Sequence, residues 1–212
     1  MSQLMHGQQQ DTQDKGIMGV AIAVVTNNKD KGGVGRVKVK YPWREDEDES
    51  YWARIATPMA GNEMGLYLLP EVGQEVLVAF KNGDINYPYI LGALWSKNKK
   101  PPETNDDGKN NIRLIKSRSG HKVVLDDTDG SEKIEIIDKS GSNHITIDTA
   151  QNTIEIKSNQ DIKLSASNGT ISLDAMEIEI KSSANTKIEA GANADLKATG
   201  NTTVKGAMVM IN

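Results

Sequence analysis

IEIIDKSGSNHITIDTAQNTIEIKSNQDIKLSASNGTISLDAMEIEI (134–180), continued by KSSANTKIEAGANADLKATGNTTVKGAMVMI (181–211), decides the fold. It holds a short unit repeated in steps of about eight: IEI (134–136), ITI (145–147), IEI (154–156), IKL (162–164), ISL (171–173), IEI (178–180), IEA (188–190), LKA (196–198) and VKG (204–206). The unit starts lie 11, 9, 8, 9, 7, 10, 8 and 8 residues apart, and MVMI (208–211) closes the series. Each unit reads apolar, polar, apolar, which is strand period. Ser, Asn, Asp, Gly, Thr and Lys fill the gaps, as turns and surfaces require. A spacing held this long is an internal repeat, and it fixes the architecture before anything else does.

One such unit buries only two apolar side chains. Their burial is worth roughly 1.5–3 kcal/mol each, against an ordering cost of about 1–2 kcal/mol for every residue fixed. The unit therefore folds only where its backbone is fully hydrogen-bonded and its apolar side meets other units. Two architectures satisfy this. A single-chain parallel solenoid could use three eight-residue sides per coil, although such coils have a thin interior and the chain has no aromatic residue after Trp95. An intertwined prism instead has several chains supplying strands in turn to every face. The thin interior favours the prism, an intertwined homotrimer. Its inward core is expected to be Ile145, Ile147, Ile154, Ile156, Ile162, Leu164, Ile171, Leu173, Ile178 and Ile180. Each octad then advances the axis by ~4.7 Å, so nine or ten make a shaft of roughly 45 Å. Ala190, Ala198 and Gly206 are small enough to let the prism taper.

Composition separates this tail from the rest of the chain. Hydrophobic residues make up 37% of the 212, low for a globular protein. All nine aromatic residues lie between positions 41 and 95, so only the first half can build an ordinary core. The net charge is −4, whereas nucleic-acid binders are more often basic. Without cysteine there are neither disulfides nor thiolate metal sites. No apolar run is long enough to span a bilayer, and the start MSQLMHGQQQDTQDKG lacks the pattern of a signal peptide. The expected protein is made in the cytoplasm without a cleaved leader.

In chain order, residues 1–15 read as a flexible, Gln-rich arm. GIMGVAIAVVT (16–26) is a continuous apolar run suited to a strand covered on both faces. GRVKVKYPW (35–43) alternates strictly, with Val37, Val39 and Tyr41 on one face and Arg36, Lys38 and Lys40 on the other. EDEDES (45–50) is an acidic surface loop, SYWARIATPMAG (50–61) a further strand with its exit, and PEVGQEVLVAF (70–80) another strand, with 76–80 all apolar. Asn82-Gly83 marks a hairpin turn, and YPYILGALW (87–95) completes the set. Some five strands over residues 16–95, joined by Gly-rich turns, form a small closed barrel. Residues 96–111, with two prolines and many charges, are an extended linker. Strands at 112–116, 121–125 and 133–137 lead into the repeat, and 112–212 forms the shaft.

Several of these stretches together resemble the central spike proteins of contractile injection machines: phage baseplate assembly protein V, cell-puncturing spikes and the VgrG proteins of type VI secretion. The resemblance is carried by GRVKVKYPW (35–43), by Ser50, Trp52, Arg54 and Pro58, by PEVGQEVLVAF (70–80), NGDINYPYILGALW (82–95) and RSGHKVVLDDTDGSEKIEI (118–136), and by the octads. In order they cover roughly four fifths of the chain. The resemblance implies an all-β protein: an N-terminal OB-fold-like barrel followed by a triple-stranded β-helix, assembled as an obligate homotrimer. It further implies a structural role. The trimer would sit on a hub at the end of an inner tube, within the baseplate of a phage tail or phage-tail-like particle, and pass through a target cell envelope when a sheath contracts. The family's large hub domain has no counterpart here, so a separate hub protein is expected at the barrel end. Neither a lysozyme insertion, a C-terminal effector nor a His-x-His apex is present either. Met208, Val209, Met210 and Ile211 would leave an apolar β-edge at the tip, to which a PAAR-type cap protein is expected to bind.

Other chemistry has little support in the residues. His6, His121 and His144 occupy unrelated positions, Ser119 lacks a G-x-S-x-G setting, and Asp126 and Asp127 lie in a turn, where aspartate bonds its own backbone. No catalytic residue, metal ligand or cofactor site is expected, and no nucleic-acid partner, because the acidic 45–50 loop balances the basic strip Arg36, Lys38, Lys40. The alternative reading of the repeat is an oligosaccharide- or surface-binding β-solenoid adhesin module.

Overall fold

A computed structural model of the chain describes residues 16–17, 19–45 and 48–210. The arm at 1–15 and Ile211 lie outside the described residues. Contacts divide the chain after Asn159 into two units. Among the described residues all regular structure is β, apart from one 3-10 turn at Lys81–Gly83.

The first unit begins with a five-stranded sheet. Its strands are β1 (Val20–Asn27), β2 (Lys38–Lys40), β3 (Arg54–Ile55), β6 (Glu75–Phe80) and β7 (Pro88–Leu94), in the order β2-β1-β6-β7-β3. A bridge between Val37 and Ala53 joins β2 to β3 and closes the sheet into a barrel. All pairings are antiparallel except β3 with β7, which is parallel. Between β3 and β6 a small hairpin, β4 (Ala60–Gly61) with β5 (Met64–Gly65), stands on the surface.

Alternation explains the barrel's core. Val37, Val39 and Tyr41 point inward together and meet Ala23, Val25, Ala53, Val76, Val78 and Ile90. Two apolar runs differ from expectation. β1 buries Ala23 and Val25, but Val20 and Ile22 on its other face remain exposed. β6 likewise buries Val76 and Val78 and leaves Leu77 half-buried. A barrel has one filled side, so each strand commits only alternate residues to it. The Asn82-Gly83 signal is met by two successive left-handed residues, at φ 53° and 80°, the conformation that closes tight hairpins.

The barrel has two distinct ends. At one lie the loop 28–36, held by bidentate Arg36–Asp30 bonds of 2.8 and 3.0 Å, and the turn 70–74. The Arg36 guanidinium beside Asp30 holds that carboxyl well below the usual carboxylate range. At the other end lie residues 41–45 and 48–51 and the loop 81–87, tied together where the Tyr41 hydroxyl donates to Ile85 O at 2.7 Å and Tyr51 N–H donates to Asn86 O at 3.0 Å.

A second five-stranded sheet follows. β8 (Ile112–Lys116), β9 (Lys122–Asp126), β10 (Lys133–Ile137), β11 (His144–Asp148) and β12 (Thr153–Lys157) form an antiparallel meander in chain order. Its head is tied to the first end of the barrel. Arg118, in the β8–β9 turn, pairs with Glu71 at 2.9 Å; at the same barrel end Lys99, in the segment that precedes the sheet, donates its Nζ to Gly73 O.

Each hairpin of this meander turns through one left-handed residue: Gly120, Gly130, Gly141 and Asn152. After Asn152 no described residue has a positive φ. The chain stops reversing there, for a plain steric reason: without a left-handed position it does not make the tight turns that bring a strand back beside its predecessor. Here the strands differ from the expected arrangement. The units 145–147 and 154–156 pair within their own chain, Ile134 facing Ile147 and Ile145 facing Ile156, instead of alternating with other chains.

The second unit, described for 160–210, contains no hydrogen-bonded strand within the single chain, and every residue of it is exposed. The octads at 162–164, 171–173 and 178–180 therefore run without strand partners of their own.

Candidate functional site

The register of the second sheet collects its apolar residues on one face. One row across the strands is Leu125, Ile134, Ile147 and Ile154, with Arg113 at its end. The neighbouring row is Ile115, Val123, Ile136, Ile145 and Ile156. Directly opposed residues share a face, and residues two apart return to it. All nine aliphatic side chains are exposed, from 40% for Ile134, Ile145 and Ile147 to 71% for Ile154. A shallow hollow runs along part of this face, between Ile115, Val123, Ile136, Ile145 and Ile156.

The reverse face is mixed, with polar residues in the majority. Its middle row runs Leu114, Val124, Glu135, Thr146, Glu155, and its flanking rows carry Ile112, Asp126, Lys133, Asp148 and Thr153 on one side and Lys116, Lys122, Ile137, His144 and Lys157 on the other. Charges of both signs meet there, Lys133 with Glu135 at 3.4 Å, and His144 Nε2 lies 3.6 Å from the Glu155 carboxylate. Such a face is stable in water, and the other is not. With about half of each already covered, nine side chains at roughly 1.5–3 kcal/mol apiece leave on the order of 7–13 kcal/mol of unrealised burial. That is as large as the whole stability of a typical domain, about 5–15 kcal/mol. An apolar face of this size marks an interaction surface.

Of the ten expected core residues, the structure brings Ile145, Ile147, Ile154 and Ile156 onto this one face. Ile115, Val123, Leu125, Ile134 and Ile136 join them, a set the sequence reading passed over although the same alternation marks it. Ile162, Leu164, Ile171, Leu173, Ile178 and Ile180, and likewise Met208, Val209 and Met210, lie exposed in the second unit.

The sheet ends in a side-chain clamp. Asp138 accepts from Ser140 Oγ at 2.7 Å and from Asn143 Nδ2 at 2.9 Å, and these bonds pull its carboxyl down to about 2. Asn143 Oδ1 in turn accepts from Asn159 N–H at 2.9 Å and from Ser158 Oγ at 3.3 Å. The clamp fixes the chain just beyond β12, at the residue where the first unit ends.

The other residues singled out by sequence have local partners. His121 Nδ1 accepts from Lys139 N–H at 3.2 Å, Ser119 lies against Ser117, Asp126 caps the N–H of Thr128 at 2.9 Å, and Asp127 pairs with Arg113. Among the described residues no group of three His, Cys, Asp or Glu is placed to hold a metal ion. Nor is any helix among them long and apolar enough to cross a membrane.

Comparison with known proteins places this geometry. Residues 21–95 match the family described as the type VI secretion system/phage-baseplate injector OB domain. The chain is 35% identical over 103 residues to the type VI secretion system spike protein VgrG2a of Pseudomonas aeruginosa, a match covering 44% of this chain and 12% of that protein. It is 35% identical over 108 residues to the spike protein VgrG3 of Vibrio cholerae, covering 47% and 11% respectively. Over 131 residues it is 31% identical to the spike protein VgrG5 of Pseudomonas aeruginosa, covering 56% and 17%. The chain thus spans only about a tenth to a sixth of the length of the relatives it matches. Its first sheet is thus similar to the injector OB domain, and the chain resembles the spike proteins of type VI secretion systems.

Proposed function

We propose that the chain is the structural central spike of a contractile injection machine, working as a homotrimer. The observation that carries this reading is the uncovered face of the second sheet, nine aliphatic side chains with one arginine, Arg113, at its edge. Three copies set around a threefold axis turn these faces toward one another and form a closed prism whose polar reverse faces meet water. Along 112–157 each chain supplies one whole side of the prism. From 160 onward the chains wind around each other, and each octad finds on its two neighbours the strand partners it lacks alone. Residues 112–212 then form one shaft, stiff because bending it breaks many backbone bonds at once. The barrels sit at its head on a separate hub protein, and the apolar run Met208–Met210, with Ile211, takes a PAAR-type cap. Sheath contraction supplies the energy, and the shaft passes through the target envelope. Residues 1–15 serve as an arm, 16–95 as the barrel and 96–111 as the linker.

The test is genetic. Cells without this chain should produce no particles able to kill target cells, and the wild-type chain should restore killing while Ile156→Asp should not. Full killing by particles that lack the chain would refute the reading.

A further inference from the structure

The two lateral edges of the second sheet carry opposite charge. Because its strands reverse at every turn, each edge is built from turns and strand ends. One edge holds the row Lys116, Lys122, Ile137, His144, Lys157 and the turns 117–121 and 138–143. Its charged side chains are Lys116, Arg118, Lys122, Lys139 and Lys157 against one acid, Asp138, and His121 and His144 lie there as well. The other edge holds the row Ile112, Asp126, Lys133, Asp148, Thr153 and the turns 127–132 and 149–152. There Asp126, Asp127, Asp129, Glu132 and Asp148 stand against Lys133. Asp106, Asp107 and Lys109, in the loop leading into β8, do not alter that sign.

The chain does not neutralise these edges itself. Arg118 pairs with Glu71, Asp127 with Arg113 and Lys133 with Glu135, and Asp138 is held by Ser140 and Asn143. Among the described residues, Lys116, Lys122, Lys139 and Lys157 on one edge and Asp129, Glu132 and Asp148 on the other make no ion pair. Nor can they reach one another within a chain, since four strand steps of ~3.4 Å put the edges about 14 Å apart. The turns also alternate in level along the sheet. The acidic turn 127–132 lies between the levels of the basic turns 117–121 and 138–143.

Charge decides what meets these edges, and in which direction. In a ring of copies that all point the same way, the basic edge of each sheet lies beside the acidic edge of the next, and the contact is head-to-tail around the ring. Two copies packed apolar face to apolar face in opposite directions would instead put basic beside basic and acidic beside acidic. Exposed ion pairs add little stability, but like charges brought together are costly, so such pairs choose partner and orientation. We propose that the edges are the seams between copies, Lys116, Lys122, Lys139 and Lys157 of one copy meeting Asp129, Glu132 and Asp148 of the next. Their signs select a parallel closed ring over an antiparallel pair. The inference rests on the homotrimer reading and assigns the surfaces that join one apolar face to the next.

The test uses the unmodified full chain at low ionic strength, where exposed pairs are least screened. A water-soluble carbodiimide condenses an amine with a carboxylate in contact with it, forming an amide and taking up the water as its urea. Covalent species of up to three chains should appear on a denaturing gel. Their linked peptides should join lysines 116, 122, 139 or 157 to acids 129, 132 or 148, links that one chain cannot make alone. Sedimentation velocity on the same sample reads the number of chains independently. A trimer whose interchain links all lie outside the two edges, or that forms none, would overturn the inference and leave the homotrimer reading standing. Sedimentation as one or two chains would overturn that reading and the inference with it.

Discussion

Tyr41 shows how much one side chain can join. It fills the barrel core, supports Trp43 and Phe80 with its ring, and closes the barrel end by donating its hydroxyl to Ile85 O. Burial pushes its phenol up to about 12, from an ordinary value near 10. The neutral form is thus favoured in the folded state. Its contribution is complete below pH 10 and is lost as pH rises from about 10 through about 12. Thermal melts of wild type should fall across that window, and Tyr41→Phe should be less stable at pH 7 by about 1 kcal/mol with a shallower alkaline decline. Asp138 has the opposite sign. Its carboxyl is depressed to about 2, chiefly by the Ser140 hydroxyl, so its contribution is present above about pH 4 and disappears as pH falls through about 2. Hydrogen-exchange protection factors at the 138–143 turn, corrected for the intrinsic rate at each pH, should fall over that acid range in wild type and be already low at pH 7 in Asp138→Ala. Gly83 is a steric case. It sits at φ 80°, and a Cβ there would come within 2.8 Å of Gly16 Cα, so Gly83→Ala should cost more than about 1 kcal/mol in a denaturant melt.

At the scale of the element, the two faces of the second sheet make opposite predictions from adjacent residues. Ile145→Asp puts a charge in the apolar row between Ile136 and Ile156, and in the proposed trimer it puts three there, which should abolish assembly as judged by sedimentation velocity. Thr146→Asp, one residue on, lies on the polar face beside Glu135 and Glu155 and should leave the sedimentation coefficient unchanged. The same comparison shows what the sequence made legible. Alternation marked Val37, Val39 and Tyr41 as one face, and Ile145, Ile147, Ile154 and Ile156 as another, because period two is written directly in residue type. The exposure of Val20 and Ile22 was hidden, since a run of unbroken apolar residues carries no phase. Whether the 145–147 and 154–156 strands pair with their own chain or a neighbour was hidden as well. Alternation names the face a side chain takes and not the chain on its flank. The turn residues Gly120, Gly130, Gly141 and Asn152 set that, through backbone conformations that their identities only permit. The aromatic end of the barrel was legible as composition but not as exposure, for Tyr41 is buried and Trp43, two residues on, is not.

The whole molecule is incomplete as one chain. Among the described residues it forms a finished barrel, then a sheet with an apolar face that none of them covers, then some fifty residues of octads with no strand partner. In the proposed homotrimer, three copies complete both at once. Light scattering coupled to size-exclusion chromatography measures that stoichiometry on the full chain. The expected result is a single species of about 69 kDa, three times the 23.1 kDa chain, unchanged on tenfold dilution. A monodisperse 23.1 kDa monomer would contradict the account, for it would mean that one chain covers its own apolar face.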